Sequence, residues 1–351
     1  MALTSAHSSA QVNRKESARR LAEEIACLNL EPMSPPLLQI EALSKRYGKT
    51  LAVNDLNLSI PPGEIFALLG PNGAGKTTTI GCICGMVQPF EGSIRVAGYD
   101  VLRDYRITRQ LVGVVPQELN FDGFFKVEDV VRYQAGFFGR RDGRIRARAL
   151  LEEFRLEGKS RSNTRWLSGG MKRRLMICKA LVHDPILLFL DEPTAGVDVE
   201  LRDELWDYVR RLRDEGVTIV LTTHYLEEAE KLADRIGIIR EGRIVHVDTT
   251  AGLKSGFGSQ WLRLQTVEPI PANFPARLKP WNPCLEDNRT LHLSFPGVHE
   301  PDSAPVTAQI LTAFSQAGLT IRHIEGGSSS LEDIFRQILH ENAAPLPVPT
   351  L

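Results

Sequence analysis

The residues best suited to chemistry are Gly70-Pro71-Asn72-Gly73-Ala74-Gly75-Lys76-Thr77-Thr78. The glycines let the backbone curl until successive N–H groups converge on one point, the geometry that cradles phosphate oxygens. Lys76 adds a mobile charge for the terminal phosphates, and the Thr77 hydroxyl suits Mg²⁺. Asp191-Glu192 follows the apolar run Ile186–Leu190. An aspartate at the carboxyl end of a buried parallel strand is placed to ligate a metal, and a neighbouring carboxylate can act as general base toward water. Gln117 comes just after Leu111–Val115, where its amide oxygen reaches a metal or an attacking water, or where it is a solvated turn residue. His224 ends Thr218–Thr223 and is either structural or a γ-phosphate contact. Tyr47 is a lone aromatic that either stacks on adenine or packs half-buried. Together the loop and the acids imply binding of a nucleoside triphosphate.

These groups need elements to hold them. Ile65–Leu69 is short, continuous and apolar, so it reads as a buried strand feeding the loop, and Thr79 onward continues as a helix. That helix start adds free N–H donors and partial positive charge facing the phosphates. Trp166-Leu167-Ser168-Gly169-Gly170-Met171 precedes a second helix, Lys172–Val182. Ser168 is placed to cap it. Capping leaves unexplained two glycines at its first positions, since glycine is costly in helices; a second anion-binding helix start explains them. Leu37–Leu43 and Leu56–Ile60 alternate apolar with polar as half-buried antiparallel strands do, and Gly92–Gly98 and Leu111–Val115 also read as strands. From about Phe121 to Arg165 the period becomes helical, with Val127, Val130, Val131 and Gln134 in register. Phe121, Phe124, Phe125, Phe137 and Phe138 cluster there, as a surface for a partner helix or as a small helical core. Glu200–Arg213 reads as a charged helix, after the tight loop Thr194–Asp198.

The chain has 351 residues, 42% hydrophobic and 24% charged, enough for one large and one smaller domain. With 42 basic against 43 acidic residues, nothing suggests a general binder of nucleic acid or of anionic membranes. No apolar run approaches the ~20 residues of a membrane-spanning helix. Five cysteines without regular spacing argue against a disulfide framework, and Cys82 and Cys84 read as small core residues. Residues 1–36 read as a disordered extension, with a marginal helix near Ser17–Leu28 stopped by Pro32, Pro35 and Pro36.

In order, these motifs closely resemble the ATP-binding subunits of ABC transporters. Tyr47 is similar to the A-loop, Gly70–Thr78 to Walker A, Gln117 to the Q-loop and Leu167–Met171 to the signature. Asp191-Glu192 resembles the end of Walker B, Ala195–Asp198 the D-loop, and His224 the switch histidine. The resemblance covers about residues 37–250. Met171 departs from the family, where glutamine is common, but the serine and backbone donors of the signature remain. Lys172-Arg173-Arg174 and His224–Ala229 look like the ABC-2-type exporter branch, which exports drugs, polysaccharides or lipids. The resemblance implies an α/β P-loop NTPase core (37–250) with an antiparallel β subdomain and a helical subdomain at about 118–182. It implies ATP and Mg²⁺ as cofactors, with Mg²⁺ on Thr77, Gln117 and Asp191. Glu192 would polarise water, His224 would hold that geometry, and Gln117 would report γ-phosphate occupancy. A homodimer would close head to tail, so that Ser168, Gly169 and Gly170 of one chain face the loop of the other, with Asp198 at the joint. The partner implied is an ABC-2-type membrane permease, and the place the cytoplasmic face of the inner membrane.

Beyond residue 250 the motifs stop. Gln260–Gln265, Thr290–Phe295 and Thr320–Ile324 read as strands, and Val306–Ala317 and Ser330–His340 as helices, the last capped by Ser330 with Asp333. They make a small α+β accessory domain, 251–344, before a Pro-containing tail, 345–351. A soluble ABC-type ATPase acting on DNA or ribosomes is the rival class. Only 98 positions separate Gly70 from Ser168, with no heptad run for the long coiled coil of the DNA-repair members, and there is one phosphate loop where ribosome-acting members have two.

Overall fold

The computed structural model describes residues 35–118, 122–194, 199–296 and 306–341. The chain divides into two compact units between Val247 and Asp248. In the first, β1 (Leu38–Tyr47) and β2 (Thr50–Ile60) pair antiparallel from Leu38↔Ile60 to Tyr47↔Thr50. This hairpin runs longer than the alternation in the sequence suggests, because its outer half is exposed and carries no apolar pattern. β3 (Ile65–Leu69) is buried at all positions, as its unbroken apolar run requires. It leads into α1 (Lys76–Ile83), β4 (Glu91–Val96), the short β5 (Tyr99–Asp100) and α2 (Tyr105–Leu111). β6 (Val112–Val115) follows, then the helices α3 (Val127–Phe137), α4 (Gly143–Glu153) and α5 (Gly169–Leu181). The remainder alternates: β7 (Leu187–Asp191), α6 (Val199–Asp214), β8 (Thr218–Thr223), α7 (Leu226–Leu232), β9 (Arg235–Arg240) and β10 (Arg243–Thr249).

Two sheets result. β2-β1-β4-β5 is antiparallel, and β10-β9-β3-β8-β7-β6 has a parallel core in which β3 lies between β8 and β9. One apolar core joins them: Leu38, Ile40, Leu56 and Ile94 pack with Phe66, Leu68, Phe189 and Ile80. The helices α3 and α4 bury Val127, Val131, Ala135, Ala147 and Leu150. Phe124, Phe125 and Phe137 are not part of that core. They are exposed, Phe137 by 86%, because the valine and alanine stripes already fill the contact. Phe121 lies outside the described residues. Among the described residues no helix is long and apolar enough to cross a membrane.

The second unit contains α8 (Thr250–Phe257), β11 (Ser259–Thr266), a 3₁₀ segment (Pro275–Trp281), β12 (Cys284–Leu285), β13 (Thr290–Pro296), α9 (Val306–Gln316), β14 (Ile321–Ser328) and α10 (Leu331–Glu341). Its antiparallel sheet has the order β12-β13-β11-β14, the split βαβ arrangement. Leu262, Leu264, Leu291 and Leu293 pack against Ile310 and Phe314 of α9. At α10 the Ser330 N–H and hydroxyl both donate to Asp333 Oδ2, at 3.0 and 2.7 Å, and the Asp333 N–H donates back to Ser330 Oγ at 3.1 Å. That reciprocal cap starts the helix where the sequence places it.

Candidate active site

Parallel strands bring their carboxyl ends to one edge, and register says which residues meet there. Leu69 lies opposite Thr223, Asp191 opposite Thr222, and Val115 opposite Leu190. The segments that follow β3, β6, β7 and β8 therefore open side by side. They begin with Gly70, Pro116-Gln117, Glu192 and His224.

The loop at Gly70–Thr78 is tightly held. Gly75, the residue before α1, has φ +104°, and a Cβ there would stand 2.4 Å from the Ala52 carbonyl oxygen. Any other residue is excluded on both counts. No side chain caps α1, which leaves its first N–H groups facing out of the helix. Lys76 is buried, and its Nζ donates to the carbonyls of Gly70 (2.7 Å) and Pro71 (3.2 Å). Burial lowers its pKa, against the pull of Glu192 and Asp191.

Thr77 Oγ1 donates to Asp191 Oδ2 at 3.2 Å, and Thr222 Oγ1 donates to Asp191 Oδ1. One hydroxyl and one carboxylate oxygen on a shared edge form a donor set that Mg²⁺ accepts when phosphate and water oxygens complete it. Among the described residues no group of three or more His, Cys, Asp and Glu forms a protein-only metal cage. Glu192 has φ +46°, a backbone conformation costing roughly 1–3 kcal/mol for a residue with a Cβ. Its N–H donates to the Thr222 carbonyl at 3.0 Å. Its carboxylate accepts from Gln117 Nε2 at 2.8 Å through Oε2 and lies 3.3 Å from His224 Nδ1 through Oε1. The structure thus joins Gln117, Glu192 and His224 directly.

Ser168 caps its own helix, its Oγ accepting from the Met171 N–H at 3.3 Å, and Gly169 and Gly170 form the first turn of α5. Tyr47 is half-exposed at the end of β1, with Lys45 Nζ 5.1 Å from its ring centroid. Asp198 lies outside the described residues. Cys82 and Cys84 are packed in α1 and just after it, and burial pushes their thiols up to about 11 and about 12.

Three residues of the site escaped the sequence reading. Thr222 is one more β-branched residue in an apolar strand. Arg173 lies in a basic run that looks solvated, yet it is buried and contacts the segments after β6 and β7. Glu228 lies in an acidic run on α7, yet it is buried, with Trp206 Nε1 donating to its Oε1 at 3.4 Å. Burial pushes its carboxyl pKa up.

A cleft of about 1040 Å³ is lined by Thr77, Gln117 and Asp191 and also by Met86, Tyr105 and Phe137. Residues 53–195 match the ABC transporter family. The chain is 41% identical over 241 residues to the Nod factor export ATP-binding protein I of Paraburkholderia xenovorans (strain LB400), across 68% of this chain and 79% of that one. It is 37% identical over 311 residues to the daunorubicin/doxorubicin resistance ATP-binding protein DrrA of Streptomyces peucetius, across 85% of this chain and 91% of the other. A solved dimeric ATP-binding cassette in a post-hydrolysis state, bound to ADP and Pi, superposes with a TM-score of 0.57 at 25% identity, covering 61% of this chain and 98% of that one.

Proposed function

This chain belongs to the ABC transporter ATPase family, and from that premise we propose that it drives export through a separate ABC-2-type membrane permease. It is an ATPase, and the set Gln117–Glu192–His224 supports the roles that follow: Gln117 hydrogen-bonds the Glu192 carboxylate, His224 Nδ1 lies 3.3 Å from it, and the set opens beside Lys76 and Asp191. The Gly70–Thr78 backbone and Lys76 hold the phosphates, and Tyr47 stacks on adenine. Glu192 takes a proton from water as its oxygen attacks the γ-phosphorus, and the bond to the bridging oxygen breaks to release ADP and phosphate. His224 and Gln117 orient the carboxylate. Thr77 and Asp191, with Gln117, are the residues that would hold Mg²⁺, which neutralises phosphate charge when bound.

Two such chains close head to tail around two ATP molecules, Ser168, Gly169 and Gly170 of each serving the loop of the other. One observation favours this arrangement: α1 opens directly on Lys76, whereas α5 opens on Gly169, Gly170 and Met171 behind its Ser168 cap, with no charged side chain at its first three positions. Contact with the permease falls to the helical face, where the cleft that includes Gln117 also presents the exposed Phe137, Met86 and Tyr105. The chain then sits peripherally on the cytoplasmic face of the membrane. The relatives' names support export, and the cargo is chosen by the permease.

A mild-detergent pull-down of the tagged chain from its native membranes tests this. Recovery of one multi-spanning protein in roughly equal amount is the expected result. Recovery of only soluble partners, ribosomes or nucleic acid would overturn the transport reading.

A further inference from the structure

Arg173 lies on α5, the helix that Ser168 caps, and is only 4% exposed. Its guanidinium spreads over three backbone carbonyls from two distant segments. Nη1 donates to Pro116 O at 2.9 Å, and Nη2 donates to Gln117 O at 3.2 Å and to Glu192 O at 3.4 Å. Nε is buried and has no hydrogen-bond partner among the described residues. A buried cation is costly unless its donors are used, so an arginine kept here for packing alone would be a poor choice. The planar fork of guanidinium is the side chain that can hold separate acceptors at fixed spacing; the ammonium of lysine is a single point.

The carbonyls it holds belong to residues that matter. Gln117 donates to the Glu192 carboxylate at 2.8 Å, and Glu192 sits at φ +46°, a conformation its surroundings must maintain. Arg173 grips both residues by the backbone and leaves both side chains free for each other.

We propose that Arg173 is a positioning residue that locks the Gln117 loop and the Glu192 backbone to the start of α5, so that the Ser168 helix and the carboxylate move as one piece. This rests on Glu192 acting as the general base. The consequence is a direct mechanical link between the helix start that serves the opposing chain and the base that serves its own ATP. Arg173 touches no reacting atom, so its loss leaves nucleotide affinity in place and lowers turnover.

The test uses the full-length chain and measures steady-state kcat, equilibrium ATP affinity and thermal melting for R173M, R173K, E192Q and R173M/E192Q. The expected result is a fall in kcat of about 10²-fold for R173M, the scale of a roughly 1 Å misplacement, with ATP affinity within about threefold of wild type. R173K keeps the charge and loses the fork, so an intermediate kcat is expected. In the E192Q background R173M should lower the residual rate no further, since it acts through Glu192. The inference is overturned if R173K, or R173M where it folds, keeps wild-type kcat per folded molecule while only melting earlier, or if the two losses multiply. Full turnover in E192Q would instead remove the reading of Glu192 as base. A dead E192Q beside a fully active R173K would remove the present inference alone.

Discussion

Helix α1 begins after Gly75, which offers no side chain to the first N–H groups, whereas α5 begins after Ser168, whose Oγ accepts from the Met171 N–H at 3.3 Å. At α1 the backbone is pressed against its surroundings, with a Gly75 Cβ placed 2.4 Å from the Ala52 carbonyl oxygen. At α5 a Cβ on Gly169 would meet nothing within 4 Å. The buried cations differ likewise. Lys76 turns back on the carbonyls of its own loop, while Arg173 reaches carbonyls after two other strands. The first start is tightly packed and uncapped, so its leading N–H groups are left to a ligand or to water. The second has its Met171 N–H capped by its own serine and is open on its glycine side. Under the proposed function the first start binds phosphate within its own chain and the second completes a site brought to it.

Breaking the first start should cost most. On the proposed roles Lys76→Ala removes the charge meant for the terminal phosphates, and ATPase kcat/KM should fall by about 10²–10³, as for loss of one key transition-state donor. The second start should respond more mildly and in a different measurement. Ser168→Ala should lower stability by about 1 kcal/mol through the lost cap and turnover by about tenfold, while ATP binding to the isolated chain stays unchanged by calorimetry. Equal losses of affinity in both variants would erase the distinction.

The smallest effect concerns Glu228, away from both starts. Its folded pKa is raised by burial, so the folded state binds the proton more tightly than the unfolded state. Stability from this group is therefore greatest below the unfolded carboxylate range and is lost as pH rises toward the folded pKa. Relative to wild type, Glu228→Gln should gain in urea midpoints as pH rises from about 4, below the ordinary glutamate range, to about 8. A constant difference across that range would contradict the raised pKa.

The fold class was legible because the parallel core announces itself locally. Ile65–Leu69, Leu187–Asp191 and Thr218–Thr223 are unbroken buried runs, each followed by a residue that sequence spacing alone marks as chemical. The cap at Ser330 and Asp333 was legible for the same reason, since both partners lie within one turn. Pairings over long separations were not. Gln117 and Glu192 are 75 residues apart, and nothing local says that the amide donates to that carboxylate. Arg173 and Glu228 sit in charged runs whose pattern is that of a solvated helix face; burial there is decided by partners distant in the chain, the segments after β6 and β7 for Arg173 and Trp206 for Glu228. In the second unit the strands at Ser259–Thr266 and Thr290–Pro296 were readable, but β14 at the sheet edge extends through Gly326-Gly327, which carry no strand signal. There a Cβ on Gly327 would stand 3.1 Å from the Trp261 ring, a fit visible only once the sheet is built.

We propose that the Ser168 start of one chain completes the Lys76 start of another. Glu192→Gln should bind ATP without turning it over, so the closed pair should accumulate. Sedimentation of the full-length Glu192→Gln chain should give a dimer with Mg²⁺ and ATP and a monomer without nucleotide, and adding Ser168→Ala should weaken that dimer. A chain that stays monomeric at saturating ATP, with ATP bound, would contradict the claim.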